Sequence, residues 1–118
     1  MNGPKRPTGF YLLLFITLFF LYLPFLITMG YFKEIIRVIK DGGYVIFDIY
    51  SEVCMDEQTV ERWLHSEHRY PCFLSANYVC EYFISHDFSI VRKFLNPHGM
   101  GFSEYLVFKK SYGQAVSQ

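Results

Sequence analysis

Residues 10–32 read FYLLLFITLFFLYLPFLITMGYF, about 23 positions with no Asp, Glu, Lys, Arg or His among them. At about 1.5 Å of helical rise per residue, such a run is long enough to cross the roughly 30 Å hydrocarbon layer of a bilayer. It is too long for the apolar region of a secretory signal, which covers about 7 to 15 residues, and no small-x-small cleavage site follows it. Pro24 and Gly30 interrupt the run, and nine aromatic residues crowd it. Proline lacks the N–H that a helix interior requires, so the same residues also suit a soluble core, as a buried strand followed by a turn and a helix. Both readings, transmembrane segment or buried strand and helix, stand at this level. If the run spans a membrane, Lys33, Arg37 and Lys40 behind it outnumber Lys5 and Arg6 ahead of it, which favours a membrane-associated chain with a cytoplasmic C-terminus. If it is core, the chain is cytoplasmic.

The remainder is of a different kind. All eleven acidic residues and nine of the eleven basic ones follow Phe32, which sets off a polar N-terminus (1–9), the apolar segment (10–32), a mixed region (33–110) and a polar tail (111–118). A chain of 118 residues makes one small domain. With 52% hydrophobic residues and zero formal net charge, it fits neither a disordered protein nor a basic nucleic-acid surface. Cys54, Cys72 and Cys80 are odd in number and form no Cys-x-x-Cys pair, which points to reduced thiols. His65, His68 and Cys72 lack the paired spacing of a zinc site, so no metal is expected.

Within 29–40, Phe32, Ile35, Ile36 and Ile39 fall opposite Lys33, Glu34, Arg37 and Lys40, the pattern of an amphipathic helix. Asp41-Gly42-Gly43 predicts its end, because glycine takes the left-handed conformation that closes helices. Residues 44–50 are apolar on both faces and predict a central strand covered on both sides. Asp56 is set to cap a second helix that turns Val60, Trp63 and Leu64 inward and stops at Tyr70-Pro71. Ser75 is set to cap a third, over about 76–85, with Val79, Tyr82 and Phe83 inward. Residues 88–95 and 104–110 predict two strands of an antiparallel hairpin, turning through Asn96-Pro97-His98-Gly99-Met100-Gly101.

Residues 32–48, Phe-Lys-Glu-Ile-Ile-Arg-Val-Ile-Lys-Asp-Gly-Gly-Tyr-Val-Ile-Phe-Asp, resemble the helix, Gly-Gly turn and fifth strand of class I S-adenosylmethionine-dependent methyltransferases. In that family an RVLKPGG stretch precedes a strand ending near an acid; here Asp41 stands where proline is usual. The final Ser-Glu-Tyr-Leu-Val-Phe-Lys-Lys110 resembles the family's last strands. The resemblance covers about 21–110, makes 33–110 a methyltransferase-like C-terminal half, and implies an α/β fold: a partial Rossmann-like sheet with a C-terminal antiparallel hairpin. It sets strand 104–110 between 44–50 and 88–95, residues 19–23 at the end of the fourth strand, and Pro24 at the opening of the next helix.

The family's cofactor is S-adenosylmethionine, yet the strand-borne Gly-x-Gly loop and the acid that holds the ribose hydroxyls have no counterpart in this sequence. Gly99-Met100-Gly101 lies between two strands rather than between a strand and a helix, and reads as a hairpin turn. The resemblance therefore implies a truncated methyltransferase, neither cofactor-binding nor active alone, with a missing N-terminal half as partner or with self-association. The alternative is a small single-pass membrane protein with a cytoplasmic interaction domain.

Ligands of open α/β sheets lie beyond the carboxyl ends of the strands. Tyr22, Asp48, Tyr50, Ser51 and Glu52 are the resulting candidates for a substrate pocket. Asp48 or Glu52 would serve as a base if burial raised its pKa; otherwise Asp48 caps a turn and Glu52 is solvated. Tyr22 and Trp63 suit stacking on a substrate or plain core packing. His98 and Glu104 flank the hairpin loop and read as surface residues. No Gly-x-Ser-x-Gly is present to support a hydrolase.

Overall fold

A computed structural model describes residues 9–112; the polar N-terminus before Gly9 and the tail beyond Tyr112 lie outside the described residues. The apolar run is divided between three elements: strand β1 (Tyr11–Ile16), a 3-10 turn (Phe20–Tyr22) and the start of helix α1 (Phe25–Val38). Pro24, at φ −59°, already has a helical φ and has no N–H to leave unpaired, so α1 begins directly after it. No helix among the described residues is long and apolar enough to cross a membrane, which removes the transmembrane reading of 10–32. The strand also lies earlier than 19–23. Leu18 takes a left-handed φ of 60°, which ends β1 and turns the chain toward the helix.

Strand β2 (Ile39–Ile49) follows α1 without a loop. The Gly-Gly pair therefore does not close the helix but lies inside β2, where the β1–β2 register shifts between Tyr11 and Leu13. Gly42 has φ +81°, and a Cβ on Gly43 would come within 2.9 Å of the Tyr11 and Lys40 carbonyl oxygens, so this irregularity needs both glycines. Helices α2 (Glu57–His65) and α3 (Ala76–Ile84) come next. The Asp56 side chain accepts from the Thr59 N–H at 2.8 Å, and Ser75 accepts from the Tyr78 N–H at 3.2 Å. α2 stops well short of Tyr70-Pro71.

Strands β3 (Phe88–His98) and β4 (Gly101–Lys110) complete a four-stranded sheet in the order β1-β2-β4-β3. β1 and β2 run parallel, and β4 lies antiparallel between β2 and β3, with Val45 opposite Phe108 and Phe47 opposite Leu106. The hairpin turn is only Gly99-Met100. Asn96 and Pro97 continue β3, which tolerates the proline because it is an edge strand.

One face of the sheet is sealed. Val45, Phe47, Ile49, Leu106 and Phe108 pack beneath Phe32 and Ile35 of α1 and Val79 and Phe83 of α3. Phe20, Phe32, Phe47, Phe83 and Phe108 form a continuous aromatic cluster, with ring centroids as close as 4.6 Å for Phe83–Phe108. Such pairs contribute about 0.5–1.5 kcal/mol each beyond the area they bury. The opposite face corrects the expectation of a strand covered on both sides. Tyr44 and Ile46 are only half-buried there, and beside them Leu13 and Phe15 are 57% and 61% exposed.

Candidate functional site at the carboxyl ends of the strands

β1, β2 and β3 all end on one rim of the sheet, since β3 is antiparallel to β4 and β4 to β2. The Asp48 carboxylate, fully buried, takes the Leu18 N–H at 2.7 Å on Oδ1. It thereby holds the left-handed turn that ends β1. Its Oδ2 is sealed from solvent with no hydrogen-bond partner among the described residues. Next to it the Tyr105 hydroxyl is hydrogen-bonded to Thr17, and the Tyr105 ring stacks on Phe94 at 5.1 Å.

Ser51 and Glu104 meet elsewhere. The Ser51 hydroxyl donates to Glu104 Oε1 at 2.5 Å, both residues being buried, with Cys54 Sγ 3.6 Å from Ser51 Oγ. Burial pushes the Cys54 thiol up, and the bonds from Ser51 offset only part of that. Asp48 pairs across the ladder with Tyr105, whereas Glu104 pairs with Ile49. Side chains alternate along a strand, so the two buried carboxylates point to opposite faces of the sheet and do not form a working pair.

Tyr22, Tyr50 and His98 form a third group. The Tyr22 hydroxyl lies 3.0 Å from His98 Nε2 and 3.5 Å from the Tyr50 hydroxyl. The His98 ring stacks on Tyr50 with centroids 6.1 Å apart, and Trp63 meets Tyr50 edge-on at 5.8 Å. Burial, followed by the contact with Tyr22, pushes the Tyr50 phenol far up, so it stays neutral across the ordinary pH range.

Glu52 stands apart. Its carboxylate accepts from the Ala76 and Asn77 N–H groups at 2.5 and 3.4 Å and from the Ser75 hydroxyl at 3.0 Å, which fastens it to the N-terminus of α3. Burial alone would raise its pKa, but these donors and its own backbone N–H outweigh that and hold it below the usual carboxylate value. Such a group is a poor base near neutrality.

The rim thus brings Tyr22 and Tyr50 together, engages Asp48 and Ser51 with different partners, and takes Glu52 away. Glu104 and His98 are not surface residues: one is buried on Ser51 and the other is half-buried on Tyr50. A polar residue starting an otherwise apolar strand, as Glu104 precedes Tyr105-Leu-Val-Phe, was the signal for the first. No group of three or more His, Cys, Asp or Glu that could hold a metal occurs among the described residues. His68 is bonded through Nδ1 to the Tyr70 hydroxyl, and His65 faces Glu61.

Parallel strands joined through a helix, followed by an antiparallel final strand inserted one place in, make a mixed α/β sheet compatible with a partial Rossmann-like fold. Among solved structures the chain is similar to magnesium protoporphyrin IX methyltransferase from Synechocystis PCC 6803, crystallised with bound SAH, at a TM-score of 0.70 and 12% identity. The likeness covers 87% of this chain and 46% of that one. A possible exported protein from Bordetella parapertussis is also similar, at a TM-score of 0.59 and 10% identity, over 88% of this chain and 40% of the other. The chain therefore spans less than half the length of either, and at these identities the likeness concerns the fold alone. No known protein family and no curated protein matches the sequence.

At the rim none of three carboxylates is free to meet a ribose: Asp48 and Glu104 are buried and Glu52 is engaged by α3. The turn after β1 carries Thr17-Leu18-Phe19 instead of glycines, and its Leu18 N–H is already given to Asp48.

Proposed function

We propose that these residues are the acceptor-side half of a methyltransferase-type sheet. In this reading they contribute a methyl-acceptor site at the rim and take S-adenosylmethionine only when a glycine-loop half pairs with β1. The observation that carries the reading is the sheet itself: β4 lies antiparallel between β2 and β3, while among the described residues nothing pairs with the outer edge of β1, and Leu13 and Phe15 on its face are exposed. Parallel strands are ordinarily buried on both faces, so an open edge and an open face on the same parallel strand support a further layer and further strands on that side. The likeness to the Synechocystis enzyme points the same way, because the chain corresponds to 46% of it. Methyl transfer depends chiefly on holding acceptor and donor in line, so the absence of a free carboxylate base at the rim does not oppose this chemistry.

Titration calorimetry of the 118-residue chain with S-adenosylmethionine tests the proposal. No saturable heat is expected from the chain alone. Saturable binding in the micromolar range would overturn it, because the cofactor site would then lie within these residues.

A further inference from the structure

Helix α2 has an apolar side that the core does not use. The expected inward residues Val60 and Leu64 are 38% and 52% exposed, and with Trp63 they form one wall of a groove of about 400 Å³. Met55, Pro71 and Phe73 line the rest, with His68 and Arg69 at its margin. We propose that this groove binds a small, flat, apolar carboxylate, its rings against Trp63 and Phe73 and its charge at Arg69.

The groove is built rather than collapsed. The Arg69 guanidinium donates to the carbonyl oxygens of Ser66, Leu64, His68 and Trp63 at 2.7 to 3.3 Å, which fixes the chain leaving α2 in an arc. Farther along, the Cys72 N–H donates to the Leu21 carbonyl at 2.8 Å and the Leu74 N–H to the Tyr50 carbonyl at 2.9 Å, anchoring both sides of Phe73 to the sheet rim. These anchors hold the walls apart without a ligand. Its size lies in the range of small-molecule sites, about 300–1,000 Å³, and suits a molecule of two fused rings.

Charge selects the ligand class. Among the described residues His68 and Arg69 are the only ionisable residues lining the groove, and no described acid lines it. The bonds from Arg69 use Nη1 and one position of Nη2, so its Nε–H and a second Nη2 hydrogen have no partner among the described residues. A carboxylate meets that fork better than an ammonium or a neutral amide. The proposal deepens the acceptor-side reading, since Trp63 touches Tyr50 at the carboxyl end of β2. Its test concerns binding alone, so it fails or holds whether or not any cofactor is ever bound.

Trp63 is the single tryptophan, so its indole N–H gives one distinct signal in a ¹H–¹⁵N spectrum of the whole chain. The probes are 2-naphthoate, 2-naphthamide and 2-naphthylmethylamine. The acid is expected to shift the Trp63 signal saturably, with a midpoint at least about tenfold below that of the amide, the ratio of a charge-assisted hydrogen bond, and the amine to be weakest. Arg69→Lys, which keeps the charge without the planar fork, should keep only part of the preference for the acid, and Arg69→Gln should bring acid and amide within about twofold of each other. A Trp63 signal unmoved by the acid, or equal midpoints for the three probes on the unaltered chain, overturns the proposal, and that comparison decides it even if the variants unfold.

Discussion

The Ser51 hydroxyl donates a hydrogen bond to Glu104 Oε1 across 2.5 Å, joining the loop after β2 to the inner strand of the hairpin, with both residues buried. Removing one partner leaves the other buried and unsatisfied, which costs about 1–3 kcal/mol, more where the orphan is charged. Ser51→Ala should therefore lower the urea midpoint, and Ser51→Ala with Glu104→Leu should lose less than the sum of the two single changes. Strict additivity in that cycle would show that the two side chains are not coupled.

Glu52 predicts a pH dependence of stability. Its pKa is lowered in the folded chain by the donors at the head of α3, so the folded state binds its proton less readily than the unfolded state. The stabilisation is then fully present above the ordinary carboxylate pKa and is lost as pH falls through that value to the lowered folded one. Glu52→Ala should cost at most about 1 kcal/mol near pH 7, as loss of an N-terminal cap does and less for a solvent-screened side chain, and clearly less near pH 2.5. Urea titrations at both pH values decide it; an equal loss at each would remove the carboxylate from the account.

The open face of β1 predicts self-association. Leu13 and Phe15 are exposed on a strand whose outer edge has no partner among the described residues, an arrangement that favours edge-to-edge pairing. Phe15→Lys should reduce association in sedimentation velocity runs while changing the unfolding free energy by less than about 0.5 kcal/mol, as for an exposed site. A Phe15→Lys chain that associates as strongly as the original would clear β1 of the role.

Much of the fold is written in short-range patterns. The Asp56 and Ser75 caps, the apolar strand through Val45 and Phe47 and the final hairpin all follow from local chemistry, and the methyltransferase resemblance supplied Pro24 at the opening of α1 and the order in which β4 intrudes. What failed depended on distant partners. Residues 10–32 have the composition of a membrane span, and only the pairing of Phe15 and Ile16 with Ile46 and Phe47 makes their first part a strand. Gly42 and Gly43 suit a helix end equally well as a strand irregularity; the approach of Tyr11 decides between them. At the rim, Glu104 is partnered by a residue more than fifty positions away, a relationship that no periodicity encodes.

The hydrogen-bonding neighbours of β4 are reached by very different lengths of chain. β3 joins it through Gly99-Met100, whereas Val45 has to find Phe108 across the whole of α2 and α3. Closing a two-residue turn takes microseconds and little entropy, while the longer closure must await several elements. The hairpin is thus the natural nucleus, and β1, on the far side of β2, docks last. Substitutions such as Val107→Ala should slow refolding in stopped-flow experiments, and Leu14→Ala should chiefly hasten unfolding. A nascent chain nucleated by the hairpin would consequently hold β1 unpaired until β4 has been synthesised, which is the interval in which a chaperone or a companion strand has access to it.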